Sequence, residues 1–537
     1  MRSKRNKTNK SGIESAASSF QSVDSYGVFG STCSDFSECE EGENRKRTCS
    51  YSNSCVPTSG ASYHSMKDRE TVPLLLTPNY NTPYKSLHCN SSDTLGPGEL
   101  SDTDIIATYK RTYDKPIKSQ MTKQSSLVTI FSIWNTIMGS SLLTMAWGVE
   151  RAGLPAALLL VGLMAALCLF TAYLLIRVNA YHGGDSFEVP SLCRALLGPT
   201  AEVIAHAFSL LVLTGANVVY WILITNFLYY TVNYFIEEPL VNATSLNSSV
   251  LCPKQELIPG SSSESHDPSP YWGLHTTVPL YVAVIVFPLL NFRNVSFFTK
   301  FNSLGTLSVL YLLIFVVVKS ASWGVNLNVP MTSRGGLDAA VLSGMLALSF
   351  YIHNIIVTIM SNNKRQDKNG RDLSIAFLLV TVTYTVVGAV FYVCFPLAKS
   401  CIEDNILNNF EMHDVMTVVA RALLLFQVIT VYPLVVFMLR TEAVLLLPLK
   451  DSRKLTFVMN LLLISVSILV ACLCPNVGTI IRYTGAVSGL VHVFTLPSLL
   501  YMRSLQLRGK LTLIKGLFYT SIIVFGTGNL IMQFFIT

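Results

Sequence analysis

Midway along an otherwise apolar stretch from Leu127 to Gly148 stand Asn135-Thr136-Ile137-Met138-Gly139-Ser140-Ser141. An amide, three hydroxyls and a glycine so close together are too polar for a helix face in contact with hydrocarbon. Unwinding near Gly139 would free backbone carbonyls to hold a cation. It would also leave the N–H groups of a new half-helix aimed at an anionic carboxylate. Non-helical backbone at such depth survives only where it lines a cavity. The same small residues also fit a packing seam between helices, because Gly and Ser let backbones approach. Asn135 and Thr136 add polar groups that packing does not require, which weighs toward binding.

A second interruption stands at Ser343-Gly344-Met345-Leu346-Ala347-Leu348-Ser349-Phe350-Tyr351-Ile352-His353-Asn354. Paired interruptions in corresponding spans point to a binding site near the middle of a membrane. The elements that carry them must therefore be membrane helices. The chain has 537 residues, of which 50% are apolar and 13% charged, too little charge to cover a soluble protein of this length. From Leu127 onward there are runs of about 20 residues with almost no charge, each long enough for ~30 Å of hydrocarbon. Hydropathy with Gly, Pro and charge as punctuation predicts eleven spans, near 127–149, 154–177, 203–236, 277–291, 301–319, 337–360, 372–396, 413–439, 455–473, 476–501 and 513–536. The third is long enough to be strongly tilted. Residues 1–125 are rich in Ser, Thr, Asn and charge, as expected of a disordered tail, and 126–537 form the membrane domain. Met1 to Lys10 are basic with no apolar run behind them, so the first span is expected to direct insertion.

Sixteen Lys and Arg fall in the loops on the tail's side of the membrane and five in the others. The excess places the N-terminus in the cytosol, and eleven spans then put the C-terminus in the lumen. The longest loop, 237–276, lies on that lumenal side and carries the glycosylation sequons of Asn242 and Asn247. Of the twelve cysteines none forms a metal-ligand pattern. Only Cys252 and Cys401 lie well inside lumenal loops, where oxidation is possible, so a disulfide is predicted between them; two unrelated free thiols are the alternative.

Four segments, 126–141 (SLVTIFSIWNTIMGSS), 291–302 (NFRNVSFFTKFN), 426–433 (FQVITVYP) and 475–485 (PNVGTIIRYTG), resemble the sodium-coupled neutral amino acid transporters, nearest to their lysosomal, arginine-sensing branch. The likeness covers 126–537 and is poor in the tail. It implies an all-α fold of eleven spans with a five-plus-five inverted repeat, as in bacterial leucine transporters. It implies that Asn135, Thr136, Ile137, Met138, Gly139 and Ser140 contact an amino acid substrate. It further implies a sodium site near Asn135 and Thr430, and the Cys252–Cys401 pairing. Na⁺ prefers a small cage of neutral oxygens, which the Asn135 amide, the Thr430 hydroxyl and unwound carbonyls would supply. Pro433 frees a carbonyl one turn before it. Taken alone, Thr430 reads as a helix hydroxyl bonded to its own backbone. Ser140 stands where that branch carries Thr, so pocket size differs. No acidic residue lies mid-span in the first or sixth span to pair a guanidinium.

Ionisable residues inside spans are functional candidates by default. These are Arg482, His353 and His492, with His492 placed to respond to lumenal acidity. Structural roles compete, including an Arg482 that snorkels to the interface. Tyr501 to Arg503 fits a cholesterol-type pattern. In the tail, Glu70-Thr-Val-Pro-Leu74-Leu75 fits an acidic dileucine signal and Tyr63-His-Ser-Met66 a tyrosine-based one. Clathrin adaptors are the expected readers and the lysosome or late endosome the expected membrane. The resemblance adds docking of the tail, here 61–88, onto a Rag GTPase–Ragulator scaffold that signals to TORC1.

The expected function is sodium-dependent export of arginine or neutral amino acids to the cytosol. A nutrient sensor with little flux and a plasma-membrane neutral amino acid transporter are the alternatives. The chain has no HExxH, P-loop or GxSxG-plus-triad set, so an enzyme is not expected, and no nucleic acid is expected as a partner.

Overall fold

The computed structural model describes residues 123–183, 188–236, 250–253, 271–291, 305–327, 338–447 and 453–535. Tyr63, Met66, Glu70, Leu74, Leu75, Asn242 and Asn247 lie outside the described residues. Within them there is no strand, only two isolated bridges, as lipid requires of a chain whose backbone groups must be bonded within each segment.

In chain order the helices are α1 (Ser126–Ile137), α2 (Ser141–Ala152), α3 (Leu154–His182), α4 (Val189–Leu197) and α5 (Pro199–Ile236). They continue with α6 (Val278–Leu290), α7 (Gly305–Trp323), α8 (Ala339–Ser349) and α9 (Ile356–Ser361). Next come α10 (Asn369–Thr385), prolonged by a π turn (Val386–Val390) to Cys394, then α11 (Val415–Leu446) and α12 (Arg453–Leu473). The last are α13 (Val477–Ser488), joined by a π turn (Gly489–Thr495) to α14 (Leu496–Leu507), and α15 (Leu513–Phe534). Among the described residues eight helical segments are long and apolar enough to cross a membrane, and α1 with α2 makes a ninth, bent by 62°. Helices α6 and α8 are apolar but shorter.

The helix ends follow local chemistry. Ser125 caps α1, its hydroxyl accepting the Val128 N–H. Gly153, at φ 77°, turns the chain between α2 and α3. Asp414 caps α11 by accepting the Thr417 N–H at 3.0 Å and also receives Lys319 of α7 at 2.7 Å. Three helices run past their apolar runs: α3 to His182, α11 to Leu446 and the α13–α14 unit to Leu507. Hydropathy sees only the hydrocarbon, while helices continue into the interface, where long polar side chains reach water. The amphipathic helix α4 was not anticipated, being too short and polar for a span.

Helix α5 has 38 residues, about 57 Å at 1.5 Å per residue, well beyond ~30 Å of hydrocarbon, as its expected tilt requires. It packs against α11, α4, α13 and α12 and is the longest strut of the bundle. Helices α8 and α13 meet at two glycines, where a Cβ on Gly485 would stand 2.2 Å from the Gly344 carbonyl oxygen.

Where α5 ends and α11 begins, Cys252 and Cys401 form a disulfide with Cα atoms 4.9 Å apart. Buried Asn409 ties the same cap, donating to the carbonyls of Cys401 (2.8 Å) and Leu251 (3.2 Å). The crosslink closes a sequence separation of 149 residues. Replacing both cysteines by Ser is expected to destabilise the protein by about 2 kcal/mol. A thermal melt of the purified protein should show a midpoint a few degrees lower; an unchanged midpoint would mean the hydrogen bonds of Asn409 hold the cap alone.

Candidate functional site

The first span breaks where its sequence is polar. Helix α1 ends at Ile137, α2 begins at Ser141, and Met138, Gly139 and Ser140 lie between them. At the start of α2 the Leu142 and Leu143 N–H groups bond back to the Gly139 and Ser140 carbonyls, at 3.3 and 3.2 Å. The sixth segment breaks too, since Phe350 to Ile355 are non-helical between α8 and α9.

One side chain joins the two breaks. The Tyr384 hydroxyl of α10, fully buried, lies 3.1 Å from the Ile137 carbonyl and 2.9 Å from the Ser349 carbonyl. Its single hydrogen is shared between two carbonyls that their helices leave over. One residue earlier, the Thr383 hydroxyl accepts the Trp134 indole N–H at 3.2 Å. Two adjacent residues of α10 thus hold the last turn of α1.

Beside the first break is a cavity of about 260 Å³, of a size for a free amino acid. Asn135, Thr136, Met138, Gly139 and Ser140 line it; Ile137 does not, its side chain being buried in the core. The opposite wall comes from α5, α7, α11 and the second break, through residues such as Tyr220, Val309, Gln427 and Asn354. A Cβ placed at Gly139 would stand 3.9 Å from the Tyr220 hydroxyl, an ordinary contact, so space alone does not demand glycine there. Asn135 Oδ1 accepts from the Thr306 hydroxyl at 3.1 Å, and the Thr136 hydroxyl donates to the Ser132 carbonyl at 2.7 Å. Gln427 Oε1 is buried without a protein partner, an acceptor suited to an ammonium group or a cation.

Thr430 lies on the turn of α11 between Gln427 and Val431, both of which line the cavity. Its hydroxyl donates to the Gln427 carbonyl at 2.8 Å, which leaves the oxygen lone pairs uncommitted. Pro433, three residues on, has no N–H to return to Ile429.

Two carboxylates at the far end of the cavity went unrecognised in the sequence. Glu188, before α4, and Glu442, late in α11, both line it, and Glu442 Oε2 is 2.7 Å from His206 Nδ1 of α5. No sequence spacing relates these three positions; only the packing of α5 on α11 brings them together. The first and sixth spans carry no mid-span carboxylate, and these two come from other elements.

Of the other expected residues, Arg482 does not snorkel. It is buried, donating to the Gln533 carbonyl of α15 (2.8 Å) and the Tyr483 hydroxyl (2.9 Å), with its guanidinium 4.6 Å from the Tyr483 ring centroid. Tyr501 packs against Tyr519 and Arg503 donates to Gln506. His353 and His492 are both buried beside the second break.

Residues 122–536 match the family described as "Transmembrane amino acid transporter protein". The chain is 40% identical over 462 residues to the "Sodium-coupled neutral amino acid transporter 9 homolog" of Caenorhabditis elegans, covering 78% of this chain and 75% of that protein. It is 39% identical over 454 residues to "Neutral amino acid transporter 9" of Danio rerio, covering 79% and 82%. A more distant relative is "Solute carrier family 38 member 8" of Homo sapiens, 24% identical over 326 residues, covering 59% and 68%.

Proposed function

Because the chain belongs to the transmembrane amino acid transporter family, we propose that the cavity at the first-span break is its cargo site and that it exports arginine and neutral amino acids from an endolysosomal lumen. The observation that carries the proposal is the pairing of chemistries in that cavity. Ser140, Leu142 and Leu143 at the start of α2 line one part of the cavity, where the positive end of the helix dipole would favour an α-carboxylate. Gln427 Oε1 is placed for an α-ammonium group, and Glu188 and Glu442 at the far end for a cationic side chain. Neutral cargo would use the apolar wall of α5, α7 and α11.

Eleven spans follow if α1–α2 and α8–α9 each count as one crossing and α6 as another, and the resemblance supports their arrangement as a five-plus-five inverted repeat. The excess of basic residues on the tail's side supports a cytosolic N-terminus, a lumenal C-terminus and a lumenal disulfide. The sequons at Asn242 and Asn247 would then be glycosylated. The resemblance points to sodium as the coupling ion, which the neutral oxygens of Asn135 and Thr430 and the Ile429 carbonyl would hold, although of these only Asn135 lines the cavity. A bound Na⁺ would supply positive charge near the substrate carboxylate. The sorting patterns at Tyr63–Met66 and Glu70–Leu75 support late endosomes or lysosomes, read by clathrin adaptors.

The test is uptake of labelled arginine, leucine and glutamine by the reconstituted protein, with and without a sodium gradient. Glu442→Gln is expected to lower arginine uptake about tenfold, through loss of a charged hydrogen bond, and to spare leucine. Asn135→Ala is expected to abolish the sodium dependence. Equal loss of arginine and leucine in Glu442→Gln would remove the cationic subsite from the proposal.

A second reading, a sensor with little flux, draws on Gln124. Its N–H donates to the Asn362 carbonyl and its carbonyl accepts the Lys364 N–H, both at 2.8 Å. The chain just before α1 is thereby joined to the segment after α9, so a partner on the tail, such as a Rag GTPase–Ragulator scaffold acting in TORC1 signalling, would feel the state of the second break. Saturable binding without uptake would favour it.

A further inference from the structure

Beside the cap that the Cys252–Cys401 disulfide closes there is a second cavity, of about 190 Å³ against about 260 Å³ for the cargo cavity. Pro253 and Glu403, close to the two cysteines in sequence, line it. The two cavities have no lining residue in common. They lie on neighbouring stripes of α5: Tyr220, Leu223 and Phe227 line the first, and Ile222, Asn226 and Tyr230 the second.

The lining of the second cavity decides what it can hold. Two carboxylates, Glu403 and Asp404, stand in its wall with four side-chain amides, Asn226, Asn405, Asn408 and Asn476, and no lysine or arginine lines it. Such a wall is rich in acceptors and negative in charge, so it suits a cation that carries several N–H donors. A metal ion matches it poorly. Among the described residues no three His, Cys, Asp or Glu side chains gather to hold one, and a bare ion needs a small cage of oxygens at about 2.0–2.6 Å. A guanidinium matches it well, being planar, always charged and equipped with five N–H donors in a fixed fork. Inside a walled cavity its attraction to a carboxylate is also less screened than on an open surface.

The acceptors are held in place by the fold itself. The Glu403 N–H donates to Asn409 Oδ1 at 2.9 Å, and Asn409 also ties the Cys401 and Leu251 carbonyls. Asp404 Oδ2 accepts the Gly478 N–H at 3.0 Å, which joins the cap to the first turn of α13. Asn405 Nδ2 donates to Asn226 Oδ1 of α5 at 3.1 Å, and Asn405 Oδ1 accepts the Leu407 N–H at 3.2 Å. From α11 the fully buried Arg421 donates to the Leu407 and Phe410 carbonyls, at 2.8 and 3.3 Å. Arg421 does not line the cavity; its guanidinium packs on the Tyr230 ring, 4.3 Å from the centroid. Thus α5, α11, α13 and the disulfide each fix part of residues 401–410. A site made rigid in this way spares its ligand the entropy of ordering it.

We propose that this cavity is a second solute site, which binds the guanidinium of arginine or of a related organic cation on the Glu403 and Asp404 carboxylates, independently of the cargo cavity. The guanidinium donates hydrogen bonds to the carboxylates and amide oxygens, and no covalent bond forms or breaks. The two sites differ in what they require. The cargo cavity presents the positive end of α2 to an α-carboxylate, whereas the second cavity offers groups for the cation alone. Arrival of the solute from the lumen rests on the orientation proposed above; binding itself rests neither on that orientation nor on transport.

The test is equilibrium binding of labelled agmatine, which is arginine without its α-carboxylate, to the purified full-length protein. The pH is about 7.5, above the ordinary imidazole range, so that His275 in the cavity wall stays neutral. Leucine at saturating concentration occupies the cargo cavity. Saturable agmatine binding is expected, displaced by arginine and not by further leucine. In the Glu403→Gln/Asp404→Asn double variant, whose side chains keep their size, affinity is expected to fall at least about tenfold through loss of charge-assisted hydrogen bonds. In Glu442→Gln, remote from this wall, it is expected to stay within about twofold. Absence of saturable binding to the native protein, or equal affinity in the double variant, overturns the proposal. A loss in Glu442→Gln with none in the double variant also overturns it and assigns agmatine to the cargo cavity. Should the double variant fold poorly, Asn408→Asp adds a carboxylate to the same wall and keeps the acceptor that Asn405 uses. Agmatine is then expected to bind severalfold more tightly; unchanged or weaker binding overturns the proposal. Agmatine binding by a protein that takes up no amino acid supports the site and removes the transport reading. Uptake without agmatine binding removes the site and leaves that reading standing.

Discussion

Tyr384→Phe is expected to lower amino acid uptake by roughly ten- to a hundredfold while leaving a folded protein. The phenol serves the Ile137 and Ser349 carbonyls, one beside each break, at 3.1 and 2.9 Å. Both are buried, and phenylalanine would return neither bond. A buried acceptor left unsatisfied costs about 1–3 kcal/mol, which is the fold-change stated. The loss falls on the geometry of the breaks, since the ring keeps its packing against Phe350, 5.4 Å away. Uptake per folded molecule, with folding followed by size-exclusion chromatography, separates the two effects. Native-level uptake in Tyr384→Phe would show that the two breaks do not need a common anchor.

Gly485→Ala is expected to remove most of the folded protein. The added Cβ would stand 2.2 Å from the Gly344 carbonyl oxygen, 2.9 Å from Leu348 Cβ and 3.0 Å from the Leu348 backbone nitrogen. Two of these are backbone atoms, which no rotamer change moves away. Helices α8 and α13 would have to separate, and overpacking of this kind costs about 3 kcal/mol or more. Small residues at such crossings let membrane helices gain dispersion and hydrogen bonding that lipid does not replace. The measurement is the yield and melting temperature of the purified variant beside Gly516→Ala, where a Cβ meets nothing within 4 Å. Equal yields would show that α8 and α13 shift apart without loss.

Much of this architecture is legible without coordinates. A run of about 20 apolar residues has one way to satisfy its backbone in lipid, so hydropathy alone predicts the helices. The first break is legible for the converse reason, because Asn135 to Ser141 offer polar groups that hydrocarbon does not tolerate. Cys252 and Cys401 stand out by their predicted compartment, and the structure joins them. These are local properties, decided by a residue's own surroundings in the chain and by the solvent that the chain must meet.

The rest belongs to the packing. Tyr384 reads as one more aromatic residue in an apolar helix until α10 is laid against both breaks, 247 and 35 residues away in sequence. Glu442 and His206 are 236 residues apart and become a pair only because α5 and α11 lie together. His353 is visible as an ionisable group inside a span, but its hydrogen-bond partner Thr171 stands on α3, 182 residues away. Hydropathy and spacing record what each segment requires of its solvent. Which side chains meet is set by ridges, glycines and breaks on helices remote in sequence, and a hydrogen bond exists only once two such surfaces bring donor and acceptor within about 3 Å.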